Sequence, residues 1–328
     1  MKVAFLSEMK FTAKIPADHP NMRTEFAWMY ALDATHHNLQ DPHVKGYDIV
    51  ILIFPKGEVY LNAAGSTLAH KQNPVSSILA SNLIPDLKAK NNKVFYMQEG
   101  PHWWFNDYEL VDQINFYNML ASCDGIFVHN EHDINYYRGL VPQMPIYVMP
   151  TLMVDDIIRS IKPQLEDKVI VGGNFARWYG GFESFLVAQE FDVPIWGQTS
   201  HAMREGEEQL FNHLPRVLWT DWMKQLSSFK YAVHLMPTVA AGTFNLNCAY
   251  FGIPCIGNKN VDTQRLCHPD LSIDVDDIQH ARSLAKQLKD PQFWQHCSQT
   301  AKQNYEKFYN IELYKRKINN ILNKQTYE

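Results

Sequence analysis

VIVGGNFARWYGGFESF (169–185) decides the fold of this chain. A short run of β-branched residues enters a glycine pair, and a stretch of helix length follows, which together make the strand, turn and helix of a βα unit. Free backbone N–H groups at such a turn, with Arg177 beside them, present donors to a diphosphate. Further on, TFNLNCAYFGIPCIGN (243–258) reads as a helix packed closely through Ala249 and Gly252 and running into a buried strand, Ile253–Ile256. Thr243, Asn245 and Asn247 lie on its early polar face, which is expected to look across at the first element. Either element alone is common in proteins that bind no phosphate. In this order and at this separation the two read as the walls of a nucleotide-sugar pocket.

Length and composition permit that reading. A chain of 328 residues with 46% hydrophobic content can bury two cores, so two domains of ordinary size are expected. No apolar run approaches the roughly 20 residues of a membrane span. The opening MKVAFLSEMKF meets an acidic residue too early for a secretory signal, and a soluble, cytoplasmic protein is the expectation. Cys123, Cys248, Cys255, Cys267 and Cys297 are scattered singly and odd in number, which reads as reduced structural thiols. The net charge is −5, and residues 1–150 carry 11 basic against 15 acidic side chains. Duplex-DNA binders draw much of their affinity from phosphate neutralisation, so a DNA partner here requires a local basic patch.

Strand-length apolar runs at 2–8, 47–54, 93–99, 125–130 and 146–151 alternate with helical stretches at 22–35, 75–90, 109–121 and 131–138. His36 and His37, with Met22 and Met29, read as helix faces. The alternation restarts with strands at 168–174, 193–198, 216–221, 231–236, 253–258 and 271–275, and it predicts parallel sheets covered by helices on both faces. The expected partition is a Rossmann-like domain over 1–151, a linker over 152–167, a second Rossmann-like domain over 168–303 and a C-terminal helix over 304–328 crossing back to the first. Ligands of open α/β sheets bind outside the carboxyl ends of the strands, so two such halves are expected to face a central cleft.

The second half is similar to the phage DNA β-glucosyltransferases of T-even type, and the whole chain resembles a GT-B glycosyltransferase. That family carries a strand followed by GGSFRSGQRES and an apolar run ending in FFGN; this chain has GGNFARWYGGFES followed by VPIWGQ. The family's WETMASDAVMLID is matched in pattern by LNCAYFGIPCIGN (246–258), its FDTKHRI by VDTQRLC (261–267), and its YYLFTDIRLPF by FYMQEGPHWWF (95–105). The resemblance implies an inverting, metal-independent transfer from a nucleoside-diphosphate sugar, UDP-linked, to an acceptor hydroxyl, with a 5-hydroxymethylpyrimidine in phage DNA as the leading acceptor. Beyond this co-substrate it implies no cofactor, and for a phage-encoded chain it implies the host cytoplasm.

Carried over residue by residue, the resemblance places Glu99 where the family has its catalytic aspartate. An inverting transfer needs one carboxylate to take the acceptor hydroxyl's proton. Gly172, Gly173, Asn174 and Arg177 match the diphosphate-binding turn, and such fixed donors can meet the charge that develops on the leaving group. Trp196 and Gly197 fall where the family's chain passes the nucleotide, and Trp222 follows the strand expected to meet the base. On the acceptor side stand His102 and Trp103, directly after Glu99, together with Arg23 and Glu25 at the start of the first helix.

Asn247 stands where the family has a ribose-gripping glutamate, and asparagine lacks the charge-assisted strength of a carboxylate. Val239 and Asn247 occupy the places of the paired glutamates of many retaining enzymes, which favours inversion. SIDVDD (272–277) contains an Asp-x-Asp, read as a helix cap rather than a metal site; HNEHD (129–133) is read as a helix start without a third ligand. Two other functions remain open from sequence: a glycosyltransferase acting on a glycan, lipid or small molecule, and a non-catalytic nucleotide-sugar-binding protein.

Overall fold

The computed structural model describes residues 1–7, 9, 11–39, 41, 43–53, 81–173, 177–198, 206 and 209–326. The chain divides into two compact units, Met1–Pro16 with Trp28–Met149 and Ile318–Glu328, and Ala17–Ala27 with Pro150–Lys317. Relative to the division read from sequence, residues 17–27 group with the second unit, as does the 152–167 segment, and the last turns of the chain group with the first.

The first unit is a seven-stranded sheet of β1 (Val3–Ser7), β2 (Ala13–Lys14), β3 (Thr35–Asn38), β4 (Ile49–Ile53), β5 (Lys93–Met97), β6 (Gly125–Val128) and β7 (Ile146–Val148), in the order β2-β3-β1-β4-β5-β6-β7. All neighbours run parallel except the short β2, which meets β3 antiparallel. Every residue of β1 and of β4 is buried, as expected of strands covered on both faces. The unit's helices are α1 (Thr24–Ala31) from Trp28 onward, α2 (Leu83–Lys90), α3 (Leu110–Ser122) and α4 (Glu131–Leu140). Leu87, Phe116, Leu120 and Tyr137 from these helices pack with Val50, Leu52, Val94 and Tyr96 of the sheet in one core.

The helix expected over 22–35 stops at Ala31, where the chain turns through Asp33 at φ 49°. His36 and His37 then lie in β3 and not on a helix face. Their burial is possible because each ring is hydrogen-bonded: His36 to Ser7 Oγ and Phe11 O, both at 2.8 Å, and His37 to Asp41 at 2.8 Å and the Tyr47 hydroxyl at 2.7 Å. Residues 75–80 of the next expected helix lie outside the described residues.

The second unit holds six strands, β8 (Glu166–Val171), β9 (Ile195–Gln198), β10 (Asn212–Leu214), β11 (Phe229–His234), β12 (Cys255–Asn258) and β13 (Ser272–Ile273). They run parallel in the order β10-β9-β8-β11-β12-β13, the 3-2-1-4-5-6 order of a Rossmann sheet. Its helices are α5 (Gly181–Ala188), α6 (Trp219–Leu226), α7 (Thr243–Phe251), α8 (Asp262–Cys267), α9 (Ile278–Gln287), α10 (Pro291–Phe308) and the start of α11 (Ile311–Thr326), whose residues from Ile318 group with the first unit. Pro291 opens α10, capped by Asp290, whose carboxylate accepts from the Gln292 and Phe293 N–H groups.

The strand expected at 216–221 is instead the entry to α6. Trp219, Met223 and Leu226 are its buried residues, spaced as one helical face, and that longer pattern overrides the local alternation of Val217 and Trp219. All five cysteines are buried free thiols, and burial pushes Cys123 and Cys297 up to about 12. Among the described residues no helix is long and apolar enough to cross a membrane.

Candidate active site

The strand order of the second unit reverses between β8 and β11, and the carboxyl ends of these two strands frame the site. Val171 pairs with Val233 and Gly197, after which the chain leaves the sheet at Gly172, whose N–H donates to Val233 O at 2.8 Å. Gly173 has φ +73°, and a Cβ there would lie 2.8 Å from the Tyr179 side chain. At Gly180, which opens α5, φ is +62° and a Cβ would come 1.8 Å from Leu235 O. Ser184 then fixes α5 to the end of β11, its Oγ accepting from the Leu235 N–H at 2.9 Å. At Gly180 the close approach is of backbone to backbone, while the Gly172–Gly173 pair gives room to the side chains of Phe244, His234 and Tyr179. Asn174 lies outside the described residues. Arg177 begins a single 3-10 turn to Tyr179, and its side chain is likewise outside what the structure describes.

Across from the turn, α7 begins at Thr243, half-buried, after Gly242 at φ +69°. Phe244 packs edge-on against His234 at 5.0 Å between ring centres. Asn245 points inward: its amide donates to Gln264 Oε1 at 2.6 Å, and Gln264 in turn donates to Cys255 O and Leu271 O. Asn247, also buried, has its amide satisfied when Oδ1 accepts from Trp222 Nε1 at 3.2 Å and Nδ2 donates to Thr243 O at 3.3 Å. Trp222, expected just beyond a strand, sits in α6 and reaches the site through this bond to Asn247. The two asparagines therefore hold α7 to its surroundings.

His234 is the residue that sequence reading missed. It ends β11 inside the apolar run YAVHLM and is buried against Gly172 and Gly173. Burial lowers its imidazole to about 4, partly opposed by a hydrogen bond that the ring donates to the Asn245 side chain. His268, below α7, is lowered to about 4 by the same desolvation, and its Nε2 hydrogen-bonds Asn245 O at 3.1 Å.

Gly197 is buried near the end of β9, beside Val171. Trp196 faces elsewhere: its ring meets Phe229, the first residue of β11, and lies under Lys168 Nζ at 5.5 Å. The structure thus brings together Gly172, Gly173, Thr243, Asn245, Asn247 and Trp222, with Trp196 packed toward the amino end of the sheet.

In the first unit, Glu99 follows β5 by two residues and is half-buried, immediately before Gly100 at φ +74°. Gln98 beside it is buried, with its amide nitrogen on Gly100 O at 2.8 Å. His102 opens a 3-10 turn that carries Trp103 and Trp104, stacked at 6.2 Å between ring centres. Its Nδ1 lies 2.9 Å from Oδ1 of Asp133 on α4, and its ring packs tilted against Tyr136 at 4.3 Å between ring centres. Burial lowers the His129 imidazole, with Asp133 and Glu99 pulling the other way.

Arg23 and Glu25 belong to the segment that groups with the second unit. Arg23 bridges to Met153, and its electrostatic neighbours are Glu25 and Arg216. Between them Thr24 has φ 47°, uncommon for a β-branched residue, and its N–H donates to Leu152 O at 2.7 Å. Among the described residues no group of three or more His, Cys, Asp or Glu is arranged to hold a metal ion. Asp277 of the SIDVDD stretch accepts from the His280 N–H as the cap of α9, and Asp274 pairs with Lys259 at 2.7 Å.

No family model and no curated protein sequence matches this chain. Solved structures do. An alpha-glucosyltransferase in complex with UDP and a 13-mer DNA containing an HMU base superposes with a TM-score of 0.66 at 10% identity, over 98% of this chain and 99% of that one. An alpha-glucosyltransferase in complex with UDP-glucose and DNA containing an abasic site gives 0.62 at 10% identity, over 98% of each chain. The sucrose-phosphate synthase of Thermosynechococcus elongatus gives 0.61 at 11% identity, over the full length of both chains. With two parallel-sheet units and end-to-end likeness to these enzymes, the chain has the GT-B glycosyltransferase fold.

Proposed function

We propose that this chain is a glycosyltransferase that moves a sugar from a UDP-linked donor to a hydroxyl group on a 5-hydroxymethylpyrimidine in DNA. The observation that carries the reading is the glycine turn at the β8–β11 switch point, faced by the start of α7, in a chain alike along its whole length to enzymes solved with UDP and DNA. Gly172, Gly173, Asn174, Arg177 and Thr243 are the proposed donor contacts, the turn's N–H groups and the arginine meeting the diphosphate. Asn245, Asn247 and Trp222 set the position of α7. With those donors stabilising the leaving group, the transfer needs no metal. Such a protein works in the cytoplasm, where the nucleotide sugar is made.

Glu99 is proposed as the general base, with inversion at the anomeric carbon, because it is a half-buried carboxylate just past a strand end, beside the sharp turn at Gly100. His102 and Trp103 then stand on the acceptor side, and Trp103 offers a stacking face for a base. A second stereochemical reading, retention, is favoured by the word alpha in the names of the two DNA-bound enzymes. Proton NMR of the first-formed product separates the two, since inversion of an α-linked donor gives a β-glycoside with a larger anomeric coupling.

The acceptor is tested by offering one UDP-sugar with hydroxymethylated DNA, unmodified DNA, an oligosaccharide and a lipid acceptor. Sugar incorporated only into hydroxymethylated DNA supports the reading. Incorporation into a glycan or lipid replaces the acceptor, and donor binding without transfer to any of them identifies a non-catalytic binding protein.

A further inference from the structure

His234 combines burial, position and an unmet hydrogen bond. The imidazole lies close against the glycine turn: a Cβ at Gly172 would come 2.8 Å from its Cγ, and one at Gly173 would come 3.2 Å from its Nε2. Phe244 closes one side edge-on, and the Asn245 side chain hydrogen-bonds the ring. Nε2 itself is buried and has no hydrogen-bond partner among the described residues. Buried polar atoms are nearly always paired, so an orphan at a strand switch point marks a place where a ligand supplies the missing partner.

Resting on the donor reading above, we propose that His234 is a direct ligand of the donor's diphosphate, with Nε2–H donating to a phosphate oxygen beside Gly173. The ring gives its Nδ1–H to the Asn245 side chain, so Nε2 donates once the ring takes a second proton, which the negative charge of an arriving diphosphate favours. Burial keeps the ring neutral at pH 7 in the free chain, so the contact couples uptake of a proton by the ring to binding of the diphosphate. The contact distinguishes a nucleoside diphosphate from the bare nucleoside. It acts at the carboxyl end of β11 and is independent of whichever group removes the acceptor's proton.

Calorimetric titration of wild type, His234→Leu and His234→Gln with UDP and with uridine tests the assignment. Leucine keeps an apolar side chain of similar reach, and glutamine restores an amide donor. The expected result is a loss of about 10- to 100-fold in UDP affinity for His234→Leu, with uridine affinity unchanged and a partial recovery in His234→Gln. An unchanged ratio of UDP to uridine affinity in His234→Leu overturns the assignment and leaves the donor reading intact. A wild-type chain that binds no UDP overturns both. Should the leucine variant fold poorly, nitrogen-15 NMR of histidine-labelled wild type decides: a His234 Nε2 signal that shifts to the N–H range with UDP but not with uridine supports the contact, and one that responds to neither excludes it.

Discussion

His102 Nδ1 lies 2.9 Å from Oδ1 of Asp133, a carboxylate with 0% side-chain exposure that also accepts from Asn130 Nδ2 at 3.2 Å. A buried carboxylate on one ring nitrogen fixes the tautomer and orientation of the ring and leaves Nε2 to exchange protons. Removing the charge while keeping the shape, Asp133→Asn, is expected to lower stability by about 1–3 kcal/mol. His102→Gln, at a partly exposed position, is expected to cost less. Urea unfolding curves of the two variants check the order.

Glu99→Gln keeps the size of the side chain and loses its basicity. Transfer is expected to fall about 10²–10⁴-fold with UDP-sugar affinity unchanged, and the deficit to shrink at high pH where hydroxide assists. Most of the turnover surviving in Glu99→Gln, with its loss in His102→Gln, would assign the base to the His102–Asp133 pair.

Stability should depend on pH through His234 and His268. Both are lowered to about 4 from an ordinary value of 6.5, so between these pH values the unfolded chain binds more protons than the folded one. The stabilising contribution is complete above about pH 6.5 and is lost as pH falls toward 4, by up to about 3 kcal/mol for each ring. Denaturant midpoints at pH 7 and pH 4.5 measure the loss, and replacing His268 with an uncharged residue should flatten the profile.

Much of the fold was legible, and the failures have a common cause. Strands buried on both faces, such as Ile49–Ile53, are continuous apolar runs, and the glycine turn after Val171 announces itself. Asn212–Leu214 and Thr35–Asn38 are short polar strands stabilised by pairing partners and by side-chain bonds to residues far away in sequence. Residues 216–221 read as a strand because three residues of alternation resemble the first turn of a helix. In the candidate site, the local elements were readable and the pairings were not. Asp133 is 31 residues from His102, and His234 looks like any polar residue within an apolar strand until the Gly172–Gly173 backbone is laid against it.

Gly180→Ala tests the geometry of the donor turn. The left-handed φ costs a non-glycine residue roughly 1–2 kcal/mol, and the 1.8 Å approach to Leu235 O forces α5 to move as well. Gly173→Ala carries the same φ cost at +73° but meets only side-chain atoms, of Tyr179 and His234, so it should fold better than Gly180→Ala and lose UDP affinity selectively. Thermal melts paired with UDP titration separate the two effects.

The central claim is tested most directly by incubating the purified protein with radiolabelled UDP-glucose and duplex DNA containing hydroxymethylpyrimidine, then digesting the DNA to nucleosides and following the label. The account predicts label on the hydroxymethylated nucleoside alone, with release of UDP in equal amount. Tight UDP-glucose binding with no label on any nucleoside, under conditions where the DNA is bound, would contradict it.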